Sequence, residues 1–412
     1  MQILIRASIN CNLATFTAKP FLSEDDSLCT VQMPKAGLQK FVDLNVKNIV
    51  YYLNNIRIPD FEASAGIFKL GLTDIRVKDM QIPTAKMEFH EQLGSASMAI
   101  NNFRFVFVFQ FQLRQITYPY ISDNGQGELT FSANGGMELL PNFTDACPFH
   151  LQLNNLQSSF EMSQLLIKLV GKFQFLYDSV LAVLSSVILD LLNNQLREII
   201  ISTVVNAFNS VLQDQIQITQ SDSDFYSDNR YINVSIKSGF LVVPMTCQVH
   251  KMQNGVFTTW LQTSPQTRKF VYSNYQIQYF MQKEVFSTSL QNYNEFKDPN
   301  IQEMKLVVQQ FARTGLVVGA SNGDFQASFL FTPKLKIRVV VFNVNDTRFQ
   351  LEFVKVVKCV GECSRAEEIG RDIGEKQKFT TVAISNSNNI YEENCVSIFV
   401  SSDFYQIGCQ IE

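Results

Sequence analysis

The sequence has little of what most enzymes need. Its three histidines, His90, His150 and His250, share no motif with a nucleophile. No G-x-S-x-G, H-E-x-x-H, Walker A or G-x-G-x-x-G pattern occurs along the 412 residues. The chain is therefore read as non-enzymatic. It also lacks charge of one sign. The formal net charge is −4, and residues 1–250 carry 17 Lys/Arg against 22 Asp/Glu, leaving 17 against 16 for the rest. No basic run of the kind that meets nucleic acid or an anionic membrane is present, so nucleic acid is excluded as a partner. Long apolar runs are missing too: the most apolar stretch, Ser179–Leu192, is interrupted by Asp190. It falls short of the roughly 20 residues that a span requires.

Eight cysteines are too few for a disulfide scaffold in a chain this long. Half of them fall in the last 54 residues: Cys359, Cys363, Cys395 and Cys409. Four thiols there would suit zinc, but a C-x3-C followed by two isolated cysteines lacks paired knuckles, so disulfides are the better reading. Unpaired structural thiols are the plain alternative. Three N-x-S/T sequons place candidate glycosylation at Asn142, Asn233 and Asn345. The N-terminus MQILIRASINCNLATFTA resembles a weak signal peptide, with Arg6 and small residues near Ala18 but Asn10 and Asn12 inside the apolar stretch. The expected location is extracellular.

What is abundant is phenylalanine, at 35 copies. In NNFRFVFVFQFQLRQ (101–115) a ring stands at every second position from Phe103 through Phe105, Phe107, Phe109 and Phe111, one face of a strand. Val106 and Val108 make the other face apolar as well, so the strand is expected to be covered on both sides. A plain core, or an apolar pocket chosen by shape and area, satisfies that pattern.

Pro34–Leu53 reads as an amphipathic helix with Leu38, Phe41, Val42, Val46, Ile49, Val50 and Leu53 on one stripe. Strands follow at Ile67–Leu72, Ile75–Met80, Ala85–Phe89, Met98–Tyr118 and Gly127–Leu139, in an antiparallel meander. Ser158–Leu212 is predicted as one long helix whose face includes Leu166, Val170, Phe173, Leu184 and Ile188, with Gly171 and Asn193-Asn194 as kinks. After strands at Arg230–Ile236 and Gly239–Cys247, helices are predicted at Phe270–Phe286 and Pro299–Ala312. Strands Phe325–Phe331, Lys334–Asn343 and Arg348–Lys358 close the pattern. The order helix-then-strands thus occurs twice.

At PKAGLQKFVDLNVKNIVYYLNNIRIPDF (34–61) and GLTDIRVKDMQIPTAKMEF (71–89) the chain resembles the bactericidal/permeability-increasing protein and lipopolysaccharide-binding protein family. An amphipathic helix enters an I-x-I-P-D turn, and a strand ends at Met80-Gln81-Ile82-Pro83. The resemblance covers about 34–245 well and 270–345 more weakly. It implies the α+β tubular lipid-binding fold: two curved antiparallel β-barrels, each around a long helix, joined by a central sheet in a boomerang-like arrangement. The corresponding domains are an N-terminal segment (1–31), an N-terminal lipid-binding barrel (32–213), a central sheet and linker (214–269), and a C-terminal barrel (270–412). The last is abridged or differently built in its Cys-containing tail, 359–412. The family's barrel disulfide matches Cys147 on one side but Arg197 on the other, so that bridge is expected to be absent. The lysine-rich tip of cationic members is replaced by a hairpin with one Arg and no Lys (105–127).

The resemblance implies a secreted, monomeric lipid-binding or lipid-transfer protein without metal. Its ligand would be phospholipid or fatty acid, and its contact with membrane surfaces transient. An antibacterial, lipopolysaccharide-binding protein is the alternative, and a cavity filled by the chain's own side chains is a third. Candidate lipid contacts are Phe41, Ile49 and Leu53 on the first helix and Phe103, Phe105, Phe107, Phe109 and Phe111 on the strand. The long helix adds Leu169, Phe173, Leu184 and Ile188.

Overall fold

A computed structural model describes residues 27–82, 84–144, 150–213, 218–222, 225–253, 256–257, 274–295, 304–340, 344–376, 378–380 and 390–411. Strand β1 (Cys29–Pro34) runs straight into helix α1 (Lys35–Asn54). Strands β2 (Arg57–Ile58), β3 (Phe61–Ala65), β4 (Phe68–Gln81), β5 (Thr84–His90), β6 (Ser95–Gln115), β7 (Ser122–Thr144) and β8 (His150–Val170) follow. Helix α2 (Gln174–Gln213) then runs for 40 residues. Short strands β9 (Ile218–Asp222), β10 (Phe225–Asp228), β11 (Ser235–Lys237), β12 (Phe240–Met245), β13 (Gln248–Gln253) and β14 (Val256–Phe257) lead to β15 (Ile277–Gln282) and helix α3 (Lys283–Glu295). Strands β16 (Lys305–Ala312), β17 (Gly315–Asn322), β18 (Phe325–Val340) and β19 (Val344–Val360) precede helix α4 (Ala366–Lys376). The chain ends with β20 (Lys378–Thr380), β21 (Ile390–Phe399) and β22 (Phe404–Ile411).

The chain divides into two compact units. Phe41–Pro141 with Leu153–Ser210 forms the first, a sheet ordered β2-β4-β6-β7-β8 with β3 and β5 attached and α2 along it. Its strands are long, and sheets of long strands curve where an extra residue is inserted. Two of the register shifts fall at non-glycine residues with left-handed backbone, Asp74 on β4 and Asn102 on β6, and Gln164 on β8 has the same conformation. The β4–β6 register shifts between Thr73 and Arg76, and the β6–β7 register shifts between Ile100 and Phe103. Side-chain oxygens satisfy the backbone these breaks release: Asp74 N donates to Asp60 Oδ1 at 3.0 Å and Asn102 N to Asn134 Oδ1 at 2.9 Å. Each break also switches which parity points inward. Met98 and Ile100 are buried before Asn102, and the odd-numbered phenylalanines after it.

That switch overturns the long helix expected from Ser158. Residues 158–170 belong to β8, where Met162 is buried before Gln164 and Leu169 after it. The parity change produced a mixed spacing that imitates a helix. Leu166 and Val170, expected on an inner helical face, are exposed on the outer face of the strand. Gly171 marks the strand-to-helix junction, and α2 passes through Asn193-Asn194 without a break.

The second unit comprises the described residues of 27–40, 142–152 and 211–411. At its centre lies a six-stranded sheet, β11-β12-β1-β15-β22-β21. It draws strands from both ends of the sequence as well as from 214–269. Its order is symmetric about the β1–β15 pair, and each of those two strands feeds a helix directly. The repeated helix-then-strands order of the sequence is thus present in three dimensions. Of the helix predicted over Phe270–Phe286, 270–273 lie outside the described residues, Ile277–Gln282 is β15, all six of whose residues are buried, and only the last four residues are helical, as the start of α3. A run buried on both faces carries no alternation to read. Of Pro299–Ala312, the residues from Lys305 are strand. No long helix accompanies the C-terminal sheet β16-β17-β18-β19-β20 among the described residues: α3 has 13 residues and α4 has 11. Helix α4 packs Ala366, Ile369 and Ile373 against the sheet.

Three disulfides hold this unit: Cys29–Cys247, Cys359–Cys363 and Cys395–Cys409. The last two take up all four tail cysteines, which removes them as thiolate ligands for zinc. Cys395 and Cys409 face each other across the β21–β22 pair. Cys147 lies outside the described residues, and Arg197, its expected counterpart in the family bridge, donates to Ser158 O at 2.6 Å.

Candidate functional site

The phenylalanine wall faces inward. Phe103, Phe105, Phe107, Phe109 and Phe111 are at most 4% exposed. Their rings stack along the strand, Phe103 on Phe105 at 5.8 Å and Phe105 on Phe107 at 5.7 Å, and both of the latter on Phe131 of β7. Phe109 and Phe111 stand opposite Gly127 and Gly125, and their rings occupy the space where a Cβ would sit. Phe111 meets Tyr177 of α2 edge-on at 5.6 Å. Surface that water cannot reach borders no empty slot, so these rings form a closed core. The outer face is less covered than predicted: Val106 is buried but Val108 is 37% exposed.

Helix α2 completes the core by an unusual route. Its most deeply buried residues include Val180, Leu184, Ile188, Leu192, Leu196, Ile200 and Val204, none above 2% exposed. They are spaced by four, and each such step overshoots a turn by about 40°. Over the six steps the buried row turns by roughly 240° around the helix axis. The sheet therefore touches a spiral stripe, and α2 is apolar on all sides with no single face.

The adjacent four-spaced row carries the helix's polar clamps. Asn193 Oδ1 accepts from Met162 N at 3.2 Å, and Arg197 donates to Ser158 O. Asn209 accepts from Leu153 N at 2.7 Å and donates to Leu153 O at 3.0 Å. These groups satisfy the free edge of β8, which would otherwise be open to strand addition. At the other end Asp123 of β7 anchors the start of the helix. Its Oδ2 accepts from Tyr177 Oη at 2.5 Å and from Phe173 N at 2.8 Å. Burial alone would raise the Asp123 pKa, but donation by Tyr177, Phe173 N and Asn124 N outweighs it and holds the carboxyl below its usual value. Burial, then the neighbouring carboxylate, pushes the Tyr177 phenol up to about 12.

This anchor has a pH signature. A lowered Asp123 pKa contributes stability above about pH 4 that is lost as pH falls through the folded-state value. A raised Tyr177 pKa contributes stability below pH 10 that is lost as pH rises through about 12. Asp123→Asn is expected to cost about 1–3 kcal/mol at pH 7. Urea midpoints against pH check this: the acid-side slope should shrink in the variant, and an unchanged profile would remove Asp123 from the account.

Between the two clamps, Tyr177 to Asn193, lie about 24 Å of helix in which the described side chains of α2 and β8 make no hydrogen bond to one another. On the clamp row this interval holds Leu181, Ser185 and Leu189, all partly exposed. Across from them Leu165 and Ile167 of β8 have the inward parity of Leu169 yet are also partly exposed. These partly exposed apolar residues, between the Asp123–Tyr177 and Asn193–Met162 contacts, form the candidate site. Only 28% of the most apolar 18-residue stretch of α2 is buried. The site is an apolar seam closed at both ends by polar clamps.

Gln174–Ser210 is long and apolar enough to cross a membrane, contrary to the sequence-based expectation, because α2 continues through Asp190. A core helix meets the same criteria. The buried spiral and the side-chain bonds to β8 place α2 in the protein's own core.

The expected contact residues divide accordingly. Leu53, Leu184, Ile188, Leu169 and the five phenylalanines are buried core. Phe41 and Phe173 are partly exposed, and the Ile49 side chain lies outside the described set. Leu165, Ile167, Leu181 and Leu189 were not among the expected contacts, although Leu181 was read as part of the long helix's apolar face. Asn193, Arg197 and Asn209 share one four-spaced row, but the helix carries other polar residues, and no sequence signal set these apart. Among the described residues no group of His, Cys, Asp or Glu is arranged to hold a metal. His90 is exposed, 2.9 Å from Ser97 Oγ, and His250 is buried. Of the sequons, Asn142 is exposed, Asn233 is partly buried, and the Asn345 side chain lies outside the described set.

No protein-family model and no curated protein matches the sequence. Among solved structures the chain is similar to lipopolysaccharide binding protein, with a TM-score of 0.65 over 94% of this chain and 99% of that one, at 12% identity. Takeout 1 of Epiphyas postvittana (TM-score 0.27, 9% identity, 44% and 90% covered) and P47 of Clostridium botulinum E1 (0.25, 10%, 94% and 99%) are too distant to bear on the fold. The chain therefore has the fold of the bactericidal/permeability-increasing and lipopolysaccharide-binding proteins, built from a sequence that shares little else with them.

Proposed function

We propose that this protein binds lipid by laying an acyl chain into the seam between α2 and β8. The observation that carries the reading is the run of partly exposed, inward-pointing apolar residues between the two clamps. Each methylene removed from water contributes about 0.8 kcal/mol, so the contact needs no polar anchor. The fold is shared with a protein named for binding lipopolysaccharide, which supports a lipid as ligand. The ligand class is a phospholipid or fatty acid carried without chemical change, and three disulfides suit an oxidising, extracellular compartment.

Native mass spectrometry and solvent extraction of the purified protein test the reading, with uptake of a fluorescent fatty acid as the second measurement. The wild type is expected to carry or take up lipid. Leu181→Trp/Leu189→Trp, which fills the seam from partly exposed positions, should weaken uptake at least tenfold with the thermal midpoint unchanged. A lipid-free wild type that also takes up no probe would sink the proposal.

A further inference from the structure

We propose that the Cys359–Cys363 disulfide is redox-active: an external thiol opens it, and its opening loosens helix α4 from the aromatic core of the second unit. The three disulfides differ in what can reach them. Cys29, Cys247 and Cys409 are at most 5% exposed, and Cys395 is half-buried. Cys363 is exposed, as are Val360, Gly361 and Glu362, and Cys359 is partly exposed. Exchange requires a sulfur to approach the bond, so access ranks this bridge first.

The sheet does not depend on this bridge. Cys359 lies opposite Ala327 in the β18–β19 ladder, and Cys363 O accepts from Ala366 N, the first residue of α4, at 3.1 Å. The sulfurs therefore close only the turn that launches the helix, and opening them leaves the ladder intact. Gly361 permits that turn, with φ at +89° and a Cβ position only 2.4 Å from Asp324 O.

Helix α4 is a cover. Ala366, Ile369 and Ile373 are buried, and Gly370 lets its backbone approach the Phe353 ring. Beneath it Phe329, Phe331 and Phe353 meet edge-on, with centroids 6.0 to 6.3 Å apart. Its ion pairs Arg365–Glu368 and Arg371–Glu367 lie within the helix, and at its far end Gln350 Nε2 donates to Gly374 O at 3.4 Å. Eleven residues are too few for a stable helix in water, so α4 relies on this packing and on the closed turn at its start.

The step is a thiol–disulfide exchange. A thiolate attacks Sγ of the exposed Cys363, forming a mixed disulfide and releasing the Cys359 thiolate, which takes up a proton. A second thiol attacks the incoming sulfur and frees Cys363. Two external thiols become one disulfide, and the protein gains two electrons and two protons. In an oxidising compartment the closed form is the resting one. Chain-closure entropy over the four-residue separation sets the increase in α4 opening at roughly thirtyfold.

The test treats the native full chain with dithiothreitol, traps thiols with iodoacetamide at intervals, and maps them by peptide mass spectrometry. Cys359 and Cys363 should be labelled at least tenfold faster than Cys395, Cys409, Cys29 and Cys247. Hydrogen exchange on the selectively reduced protein should then show α4 amides exchanging roughly thirtyfold faster, with β22 unchanged. Cys359→Ser/Cys363→Ser should show the same fast exchange in α4 without thiol and no response to it. Labelling of this pair no faster than Cys395 and Cys409 overturns the proposal. So does an α4 whose exchange is the same before and after reduction, a result that needs no variant to fold.

Discussion

Phe107→Asp is expected to leave the first unit unfolded at 25 °C. Phe107 is 1% exposed and stacked between Phe105 and Phe131. Removing the ring costs about 3–5 kcal/mol in lost burial and cavity. An unpaired carboxylate there must also be desolvated or protonated, a further cost of several kcal/mol. Together these approach the roughly 5–15 kcal/mol that holds a typical domain folded. Phe107→Leu, which keeps an apolar side chain of reduced volume, should remain folded with a lower urea midpoint. The comparison decides what the phenylalanine wall is. A folded Phe107→Asp protein that merely lost lipid uptake would move the ligand from the seam to the wall.

Removing the Cys29–Cys247 disulfide should be the most damaging change of its kind in the second unit. The two cysteines are 218 residues apart and both are buried, Cys29 as the first residue of β1 and Cys247 two residues beyond the end of β12. Chain-closure entropy assigns a loop of that length about 5 kcal/mol, against about 2 kcal/mol for the four-residue separation of Cys359–Cys363. Cys29→Ser/Cys247→Ser should therefore lose some 3 kcal/mol more than Cys359→Ser/Cys363→Ser in equilibrium denaturation. Equal losses would show that the central sheet stands without its covalent tie, through the β1–β12 and β1–β15 ladders alone.

Much of this architecture was legible in the residues. The first helix was expected over Pro34–Leu53 and occupies Lys35–Asn54, since one continuous stripe and a terminal Asn pair bound it. Strand β6 was read from its period-two rings, while which face turns inward was decided by the structure. Strand β8 was misread because Gln164 adopts a left-handed conformation and moves the buried set from even to odd positions. Strand β15 was misread because every residue in it is buried. In both cases a local pattern was overridden by neighbours distant in sequence.

The sequence by itself determined that this chain folds as helix and antiparallel sheet, that the order recurs, and that a large apolar interior has to be covered. Periodicity and side-chain volume fix these locally. It could not determine where that interior is closed and where it opens. The same apolar residues make a sealed core when Phe131, Tyr177 and two glycines meet them, as along β6, and stay partly exposed where the described side chains of α2 and β8 make no hydrogen bond to one another, as between Tyr177 and Asn193. The difference is whether a partner from elsewhere in the chain fills the space. The clamps Asp123, Asn193, Arg197 and Asn209 set that spacing, and they act between segments 31 to 56 residues apart.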